Sequence, residues 1–455
     1  MVITLLLLCI FLILLCHYLI HHGRFWKLID QIPGPPPLLI IGNALFWCTC
    51  PVEELLKTLE KYLKIYHPVG KQWIFNHAGV FASHPDDVQT ILSNSKEHIG
   101  KGFAYTFLNS WLGTGLLTSE ETAMGISLKD MGAFQQQYRK TVYEITKLIL
   151  ARLISPWFYF DMIFALSPMG KRQAKNLKIL HGFTEKIIAE RKQYHKSTNG
   201  QYLKQFENNS VNDDEEIIGI RRKRLAMLDL LIAASRNNKM SDLDIREEVD
   251  TFVLGGYETT AISISFTILL LAEHKNIQDR VRKEVSAVML ENNGKLTMTA
   301  INNMPYLERC LKESLRLYPS LPNIMRVASE DLKIQSYIVP SGTILHIPIK
   351  FIHRNSDFWP NPDVFDPDRF LPENIQNRHS FSYLPFSAGA RNCIGQRFAM
   401  LELKAIIATL VHNFYLEPID YLKDLQFRLD LVTRVADPIR VKFIPIEQMQ
   451  PFKAN

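Results

Sequence analysis

Hydrophobic positions are concentrated at the very start of the chain. Residues 2–20 are Leu, Ile, Phe and Val, broken only by Thr4, Cys9, Cys16, His17 and Tyr18, and such a run is long enough to cross a bilayer as a helix. His21, His22, Arg24 and Lys27 follow at once. No charged residue precedes the run and no small-residue cleavage site follows it, so it reads as a retained anchor rather than a removed leader. The positive flank on its C-terminal side places the body of the protein in the cytosol. Pro33-Gly34-Pro35-Pro36-Pro37 is a stiff polyproline segment. The pattern therefore divides the chain into an anchor (1–22), a basic and proline-rich hinge (23–37) and a globular body (38–455).

Within the body the apolar spacing changes from stretch to stretch. Leu55, Leu56, Leu59 and Leu63 recur at helical intervals within 51–66. Residues 71–82 carry Trp73, Phe75, Val80 and Phe81 between turn signals and predict a hairpin. Pro85 followed by two acids predicts a helix over 85–93. Amphipathic helices are expected over 122–190, with breaks at Pro156 and Pro168. Residues 193–216 are polar and read as a loop, and the sequon at Asn208 stays bare in a cytosolic domain. Arg221-Arg222-Lys223-Arg224 reads as the solvated start of a helix. The longest helical pattern, 241–271, opens with a capping-box variant, Ser241-Asp242-Leu243-Asp244. Further helices are expected over 276–289 and 299–317, a hairpin over 333–351 turning at Pro340-Ser341-Gly342, and a late strand over 439–444. No internal repeat is present. The sum is a mostly α fold with small β-sheets.

Composition narrows the function more than the fold. The chain has 455 residues, 47% hydrophobic and 22% charged, enough for a substantial core. A net charge of +6 permits a basic docking face or attraction to anionic membrane lipid, and gives no case for nucleic-acid binding. Six cysteines, at 9, 16, 48, 50, 310 and 393, are too few and too irregular for a disulfide framework, which fits a reducing compartment. Cys48-Thr49-Cys50 has no second pair to complete a metal site, and is read as incidental.

The candidate chemistry centres on Phe386-Ser387-Ala388-Gly389-Ala390-Arg391-Asn392-Cys393-Ile394-Gly395. Gly389 and Gly395 remove side chains on either side of Cys393, so backbone can approach a flat ligand and N–H groups can point at the sulfur. Arg391 supplies a fixed cation. The helix-forming run 396–404 places the sulfur just ahead of a helix N-terminus, and such surroundings are expected to lower a thiol pKa. A single cysteine is wrong for structural zinc or an iron–sulfur cluster. One axial thiolate suits haem iron; a buried free cysteine is the plainer alternative.

Two further groups bear on that site. In Gly255-Gly256-Tyr257-Glu258-Thr259-Thr260, the adjacent glycines cost roughly 2 kcal/mol in helix stability relative to alanines. Glycine pairs are common places for helix distortion and a groove. An acid beside a threonine there is what dioxygen activation needs: a hydroxyl at Thr259, and a carboxyl at Glu258 to relay protons. A packing contact that needs small residues is the other reading. Glu313 and Arg316 are three apart and share a helix face. Arg369, in Pro367-Asp368-Arg369-Phe370, completes a candidate structural charge network.

The pattern Phe-x-x-Gly-x-Arg-x-Cys-x-Gly is met at all five fixed positions and resembles the haem-ligand signature of the cytochrome P450 superfamily. The Glu-x-x-Arg pair, the Pro-Asp-Arg-Phe segment, the acid-Thr-Thr helix and the cysteine loop also fall in that superfamily's order. The runs 224–231 (RLAMLDLL), 246–252 (REEVDTF), His353-Arg354 and 365–370 (FDPDRF) look like the family-4 branch common in insects. The resemblance implies the P450 fold with haem b ligated through iron by Cys393. It places Phe386, Gly389 and Gly395 around the haem, and Arg326 and Arg391 on its propionates, a bidentate task suited to arginine. It further implies a microsomal monooxygenase of the endoplasmic reticulum membrane, single-pass and facing the cytosol. Such an enzyme uses O2 and electrons from NADPH through NADPH-cytochrome P450 reductase, with cytochrome b5 as a further candidate partner. Substrates of this branch are fatty acids and similar lipophiles, often oxidised near a chain terminus.

The chain departs from the family pattern at two places. Many family-4 members carry a glutamate, able to form an ester with haem, where this chain has Gly255, and Gly255 rules that linkage out. After Gly115-Leu116-Leu117-Thr118-Ser119 the family continues with a helix containing Trp-x-x-x-Arg, which covers a haem face. Here Ser119 passes directly to Glu120 and Glu121, and none of the six Trp residues has an Arg four positions later. This internal deletion near 119–120 motivates a second reading, a truncated, catalytically inactive isoform unable to retain haem. A third, a haem-thiolate isomerase or dehydratase that needs no reductase, has no use for the acid–threonine pair.

Overall fold

The computed structural model describes residues 23–38, 40–51, 53–93, 100, 102–113, 132–200, 227–236 and 240–446, with Thr4 and Phe11 as isolated positions. The expected anchor apart from Thr4 and Phe11, the junction at 119–120, the sequon and the basic cluster at 221–224 lie outside the described residues. The chain divides into two compact units, one of Met1–Gly102 with Glu258–Asn455 and one of Phe103–Tyr257.

The first unit opens with helices α1 (Arg24–Asp30), α2 (Ala44–Thr49) and α3 (Leu55–Ile65), strands β1 (Val69–Ile74) and β2 (His77–Ala82), and helix α4 (Pro85–Ser93). The segment expected as a hinge is folded into this unit. Ile29 and Ile32 are buried in its core, Trp26 stacks on Trp73 at 3.9 Å, and the carbonyl of Pro33 accepts the Lys71 N–H at 2.8 Å. An amphipathic turn carrying two aromatics buries more apolar surface on the sheet than it would as a spacer in water.

The second unit contains α5 (Asn109–Leu112), α6 (Gly132–Ile154), α7 (Asp161–Leu166), α8 (Pro168–Ser197), α9 (Met227–Arg236) and most of α10 (Asp242–Glu273), which crosses the boundary between the units. Pro168, expected as a break, is the first residue of α8, capped by Ser167 Oγ accepting the Gly170 N–H at 3.0 Å. The capping box of α10 forms as its sequence predicts. The Ser241 N–H donates to Asp244 Oδ2 at 2.7 Å and the Asp244 N–H to Ser241 Oγ at 3.2 Å. Buried Asp250 of α10 accepts from Thr184 of α8 at 2.5 Å. Trp157, Phe160, Met162, Ile163 and Leu166, in and just before α7, are all exposed.

The first unit resumes with α11 (Lys275–Glu291), α12 (Met298–Asn302), α13 (Pro305–Leu317), β3 (Ile324–Val327), β4 (Leu332–Ile334), β5 (Tyr337–Val339), β6 (Ile344–Ile347), α14 (Ile349–Ile352), α15 (Pro372–Ile375), α16 (Gln396–Asn413), β7 (Phe414–Pro418), β8 (Phe427–Arg428), β9 (Arg434–Val435) and β10 (Val441–Pro445). The pattern over 299–317 is two helices rather than one, because Pro305 has no N–H to continue the first and opens the second. The main sheet has the order β1-β2-β6-β3, with β2 and β6 parallel and the other pairs antiparallel. The tight hairpin of the 333–351 region is β4–β5, turning at Gln335 with φ +52°. Pro340-Ser341-Gly342 instead carries the chain on to β6 in the main sheet. A second core joins Val281 of α11, Leu307 and Leu311 of α13, and Leu403, Ile407 and Val411 of α16, and this core seats the helix that follows Cys393.

Candidate active site

Gly389 decides the path of the cysteine loop. Its φ is +76°, and a Cβ there would lie 1.9 Å from the Leu92 carbonyl oxygen at the end of α4, so only glycine fits. One 3-10 turn, Gly389–Arg391, follows. The Cys393 N–H then donates to the Phe386 carbonyl at 2.8 Å, closing the loop, and α16 begins three residues later. The N–H groups of Gly395 and Gln396 point at the sulfur, an arrangement suited to a thiolate ligand. Cys393 is itself exposed, and apolar Ile394 and Phe398 stand exposed beside it. A Cβ at Gly395 would sit 3.8 Å from the sulfur, an ordinary contact. The expectation of a lowered thiol pKa is corrected. Desolvation of the protein-backed side of the sulfur pushes the thiol up, and the two N–H groups offset only part of it.

Arg326, on β3, is buried with its guanidinium 3.4 Å from Ser387 Oγ on the same loop. Arg391 lies in the 3-10 turn two residues before the cysteine. Both cations therefore belong to the structure immediately around Cys393, as two anionic groups on one ligand would require.

Helix α10 runs unbroken through Gly255 and Gly256, so the anticipated distortion is absent. Both glycines are exposed, and a Cβ at either would meet nothing within 4 Å beyond the helix's own backbone, so this face of α10 is open. Past the glycines, the Thr259 carbonyl lies 2.9 Å from Ser263 Oγ and 2.8 Å from Ser320 Oγ. The Glu258 carboxylate accepts from Arg434 Nη2 at 2.7 Å. Burial pushes the Glu258 carboxyl above its ordinary range, and the Arg434 charge pulls it back only in part.

Glu313, Arg316 and Arg369 do come together. Arg316 donates to Glu313 through Nε at 2.7 Å and Nη2 at 2.8 Å, and Arg369 Nε lies 3.3 Å from the same carboxylate. Arg316 Nη1 also donates to the carbonyls of His353 and Pro362, at 2.9 and 2.7 Å. Arg369 donates to those of Pro360 and Asn361, at 2.5 and 2.8 Å. His353 Nε2 in turn accepts the Leu384 N–H at 2.7 Å, two residues before Phe386.

A model of the cytochrome P450 family matches residues 118–443 of this chain. The chain belongs to the cytochrome P450 family. It is 32% identical to cytochrome P450 4c21 of Blattella germanica, over 91% of this chain and 93% of that protein. It is 34% identical to cytochrome P450 4c3 of Drosophila melanogaster, over 97% and 94%, and 31% identical to cytochrome P450 4V2 of Rattus norvegicus, over 93% and 91%. These relatives make it a family-4-like P450, a monooxygenase with a mostly helical fold and small sheets. Haem fits the residues present: a sulfur with two N–H donors aimed at it, open on one side, with two arginines held nearby. Sequence reasoning missed Leu92 and Arg434, which lie 301 and 41 residues from Cys393 in the numbering and carry no local signature, and it gave no role to Ser387 or His353, which lie within segments it did single out.

Proposed function

We propose that this P450 inserts one oxygen atom of O2 into a C–H bond of a fatty acid or similar lipophile, near the chain terminus. Its electrons come from NADPH through NADPH-cytochrome P450 reductase at the endoplasmic reticulum membrane, with cytochrome b5 as a second candidate donor. The arrangement around the Cys393 sulfur carries this reading. Cys393 Sγ would hold the haem iron, Arg326 and Arg391 would hold its propionates, and Phe386, Gly389 and Gly395 would let the macrocycle approach. When bound, haem supplies O2 activation and the oxidation itself. Glu258 takes protons from solvent and passes them towards the Thr259 hydroxyl. Glu313, Arg316 and Arg369 brace the segment 353–386 that leads into the cysteine loop. Membrane attachment is supported by the apolar run 2–20, its basic flank, and the exposed apolar residues around α7.

A specific observation keeps a second reading, an isoform unable to retain haem. The alignments to the Blattella and Drosophila relatives extend over 478 and 516 positions, more than the 455 residues of this chain, so both relatives have residues without a counterpart here. The family match also begins at residue 118, beside the junction of Ser119 with Glu120. The reduced, carbon-monoxide-bound absorption spectrum of the purified full chain separates the two. A thiolate-type Soret shift together with reductase-dependent fatty-acid hydroxylation supports the enzyme. A colourless protein after expression with ample haem precursor overturns it.

A further inference from the structure

Arg434, at the start of β9, lies 176 residues from Glu258, yet the two are joined. Arg434 Nη2 donates to Glu258 Oε2 at 2.7 Å, and Nε of the same guanidinium lies 2.8 Å from Asp430 Oδ2. All three side chains are largely enclosed, at 17%, 12% and 5% exposure for Arg434, Glu258 and Asp430. We infer that Arg434 is the positioning residue of Glu258: one guanidinium, shared with Asp430, fixes where that carboxylate points and sets the pH range over which it gives and takes a proton.

The inference rests on the reading of Glu258 as the proton-relay acid. A relay carboxyl must be ionised part of the time and protonated part of the time near the working pH. Burial alone would hold Glu258 protonated, and a guanidinium devoted to it would hold it ionised. Sharing places it between those limits. Asp430 competes for the cation and also repels the Glu258 carboxylate, so both of its effects act against ionisation of Glu258. Among the described residues, Arg434 and Asp430 are the charged groups whose fields reach Glu258, one on β9 and one on the segment just before it. The guanidinium fork can face two carboxylates at once, which a lysine ammonium cannot do with the same geometry. The Thr259 carbonyl is fixed separately by Ser263 and Ser320, so turning of the Glu258 side chain need not move the helix backbone.

A purely structural ion pair between α10 and β9 would also explain the contact, and the test must tell the two apart. The protonated-carboxyl stretch of Glu258 is followed by infrared difference titration of the full chain, assigned by its loss in Glu258→Gln. Arg434→Gln is expected to raise the titration midpoint by about one pH unit or more, and Asp430→Asn to lower it. Arg434→Lys should recover part of the lost shift. Opposite movements from the two sides of one guanidinium are not produced by general loosening. A midpoint that stays put in Arg434→Gln, or moves the same way in both variants, overturns the inference. The titration does not depend on haem being bound. If Glu258→Gln leaves the fraction of electrons lost to hydrogen peroxide unchanged in reductase-driven turnover, the relay role fails separately.

Discussion

Glu313 and Arg316 face each other across less than one turn of α13 as a two-point ion pair, and neither side chain has any exposure. The Asp366 N–H donates to the same Glu313 carboxylate at 3.0 Å, so both of its oxygens are used. Removing one partner leaves the other charged and dry, a loss of about 3–5 kcal/mol for a buried pair. Arg316→Ala should therefore yield little folded protein, and Glu313→Gln should lower the thermal midpoint while also reducing haem content. Haem retained at wild-type stoichiometry in a folded Arg316→Ala protein would separate the network from the cysteine loop.

Gly389 and Gly395 flank the same cysteine and should respond differently to a methyl group. At Gly389 the added carbon meets the Leu92 carbonyl at 1.9 Å on a left-handed backbone, a combination that costs about 1–3 kcal/mol from the backbone alone. At Gly395 it makes only a 3.8 Å contact with the sulfur. Gly389→Ala is expected to lose the thiolate-type absorption while far-ultraviolet circular dichroism still reports helices, whereas Gly395→Ala should keep its thermal midpoint. Equal effects on folding would show that the close approach of the loop to α4 is relaxed in solution.

His353 makes the fold sensitive to acid. It is completely buried, with Nδ1 3.2 Å from the Arg316 carbonyl and Nε2 accepting from Leu384, and burial pushes its pKa down to about 3. A neutral imidazole can donate at one nitrogen and accept at the other, which this pocket requires. Above about pH 6.5, its ordinary value, neither folded nor unfolded chain carries the proton and there is no penalty. Below that the unfolded chain binds a proton that the folded chain refuses, so stability falls by about 1.4 kcal/mol per pH unit until about pH 3. His346, pushed down to about 4 by burial, acts in the same direction. His353→Gln should lower the thermal midpoint at neutral pH but flatten its decline between pH 6.5 and 4.5; an unchanged slope would mean that His353 is already solvated.

What could be read ahead of the structure follows from how local each signal is. The loop of Cys393 is written within ten residues, and the start of α10 within four, so both were legible. Pro305 was legible in principle as a helix start, but the continuous apolar spacing on either side of it outweighed the proline. The fate of residues 23–37 depends on Trp26 meeting Trp73, a contact between segments almost fifty residues apart that no local pattern encodes. The same holds for Arg434 and Glu258. The thiol shift runs against the local pattern because the donors are visible in a glycine pattern, whereas the burial opposing them is a property of the folded chain.

Gly255 and Gly256 offer the sharpest separation of folding from function. Within an exposed helix interior, replacing glycine by alanine adds about 0.5–1 kcal/mol of stability through backbone entropy. At both positions the methyl would enter open space, so no clash offsets that gain. Gly255→Ala and Gly256→Ala are therefore expected to raise the thermal midpoint of the haem-free chain slightly. If the open space is where the haem or its substrate sits, the same variants should bind haem less completely or turn over a bulky fatty acid more slowly. Thermal melts of the haem-free chain, haem-to-protein ratios and hydroxylation rates on the same preparations measure both sides. A variant that gains stability and loses nothing else would show that the open face of α10 at these glycines is not used by the ligand.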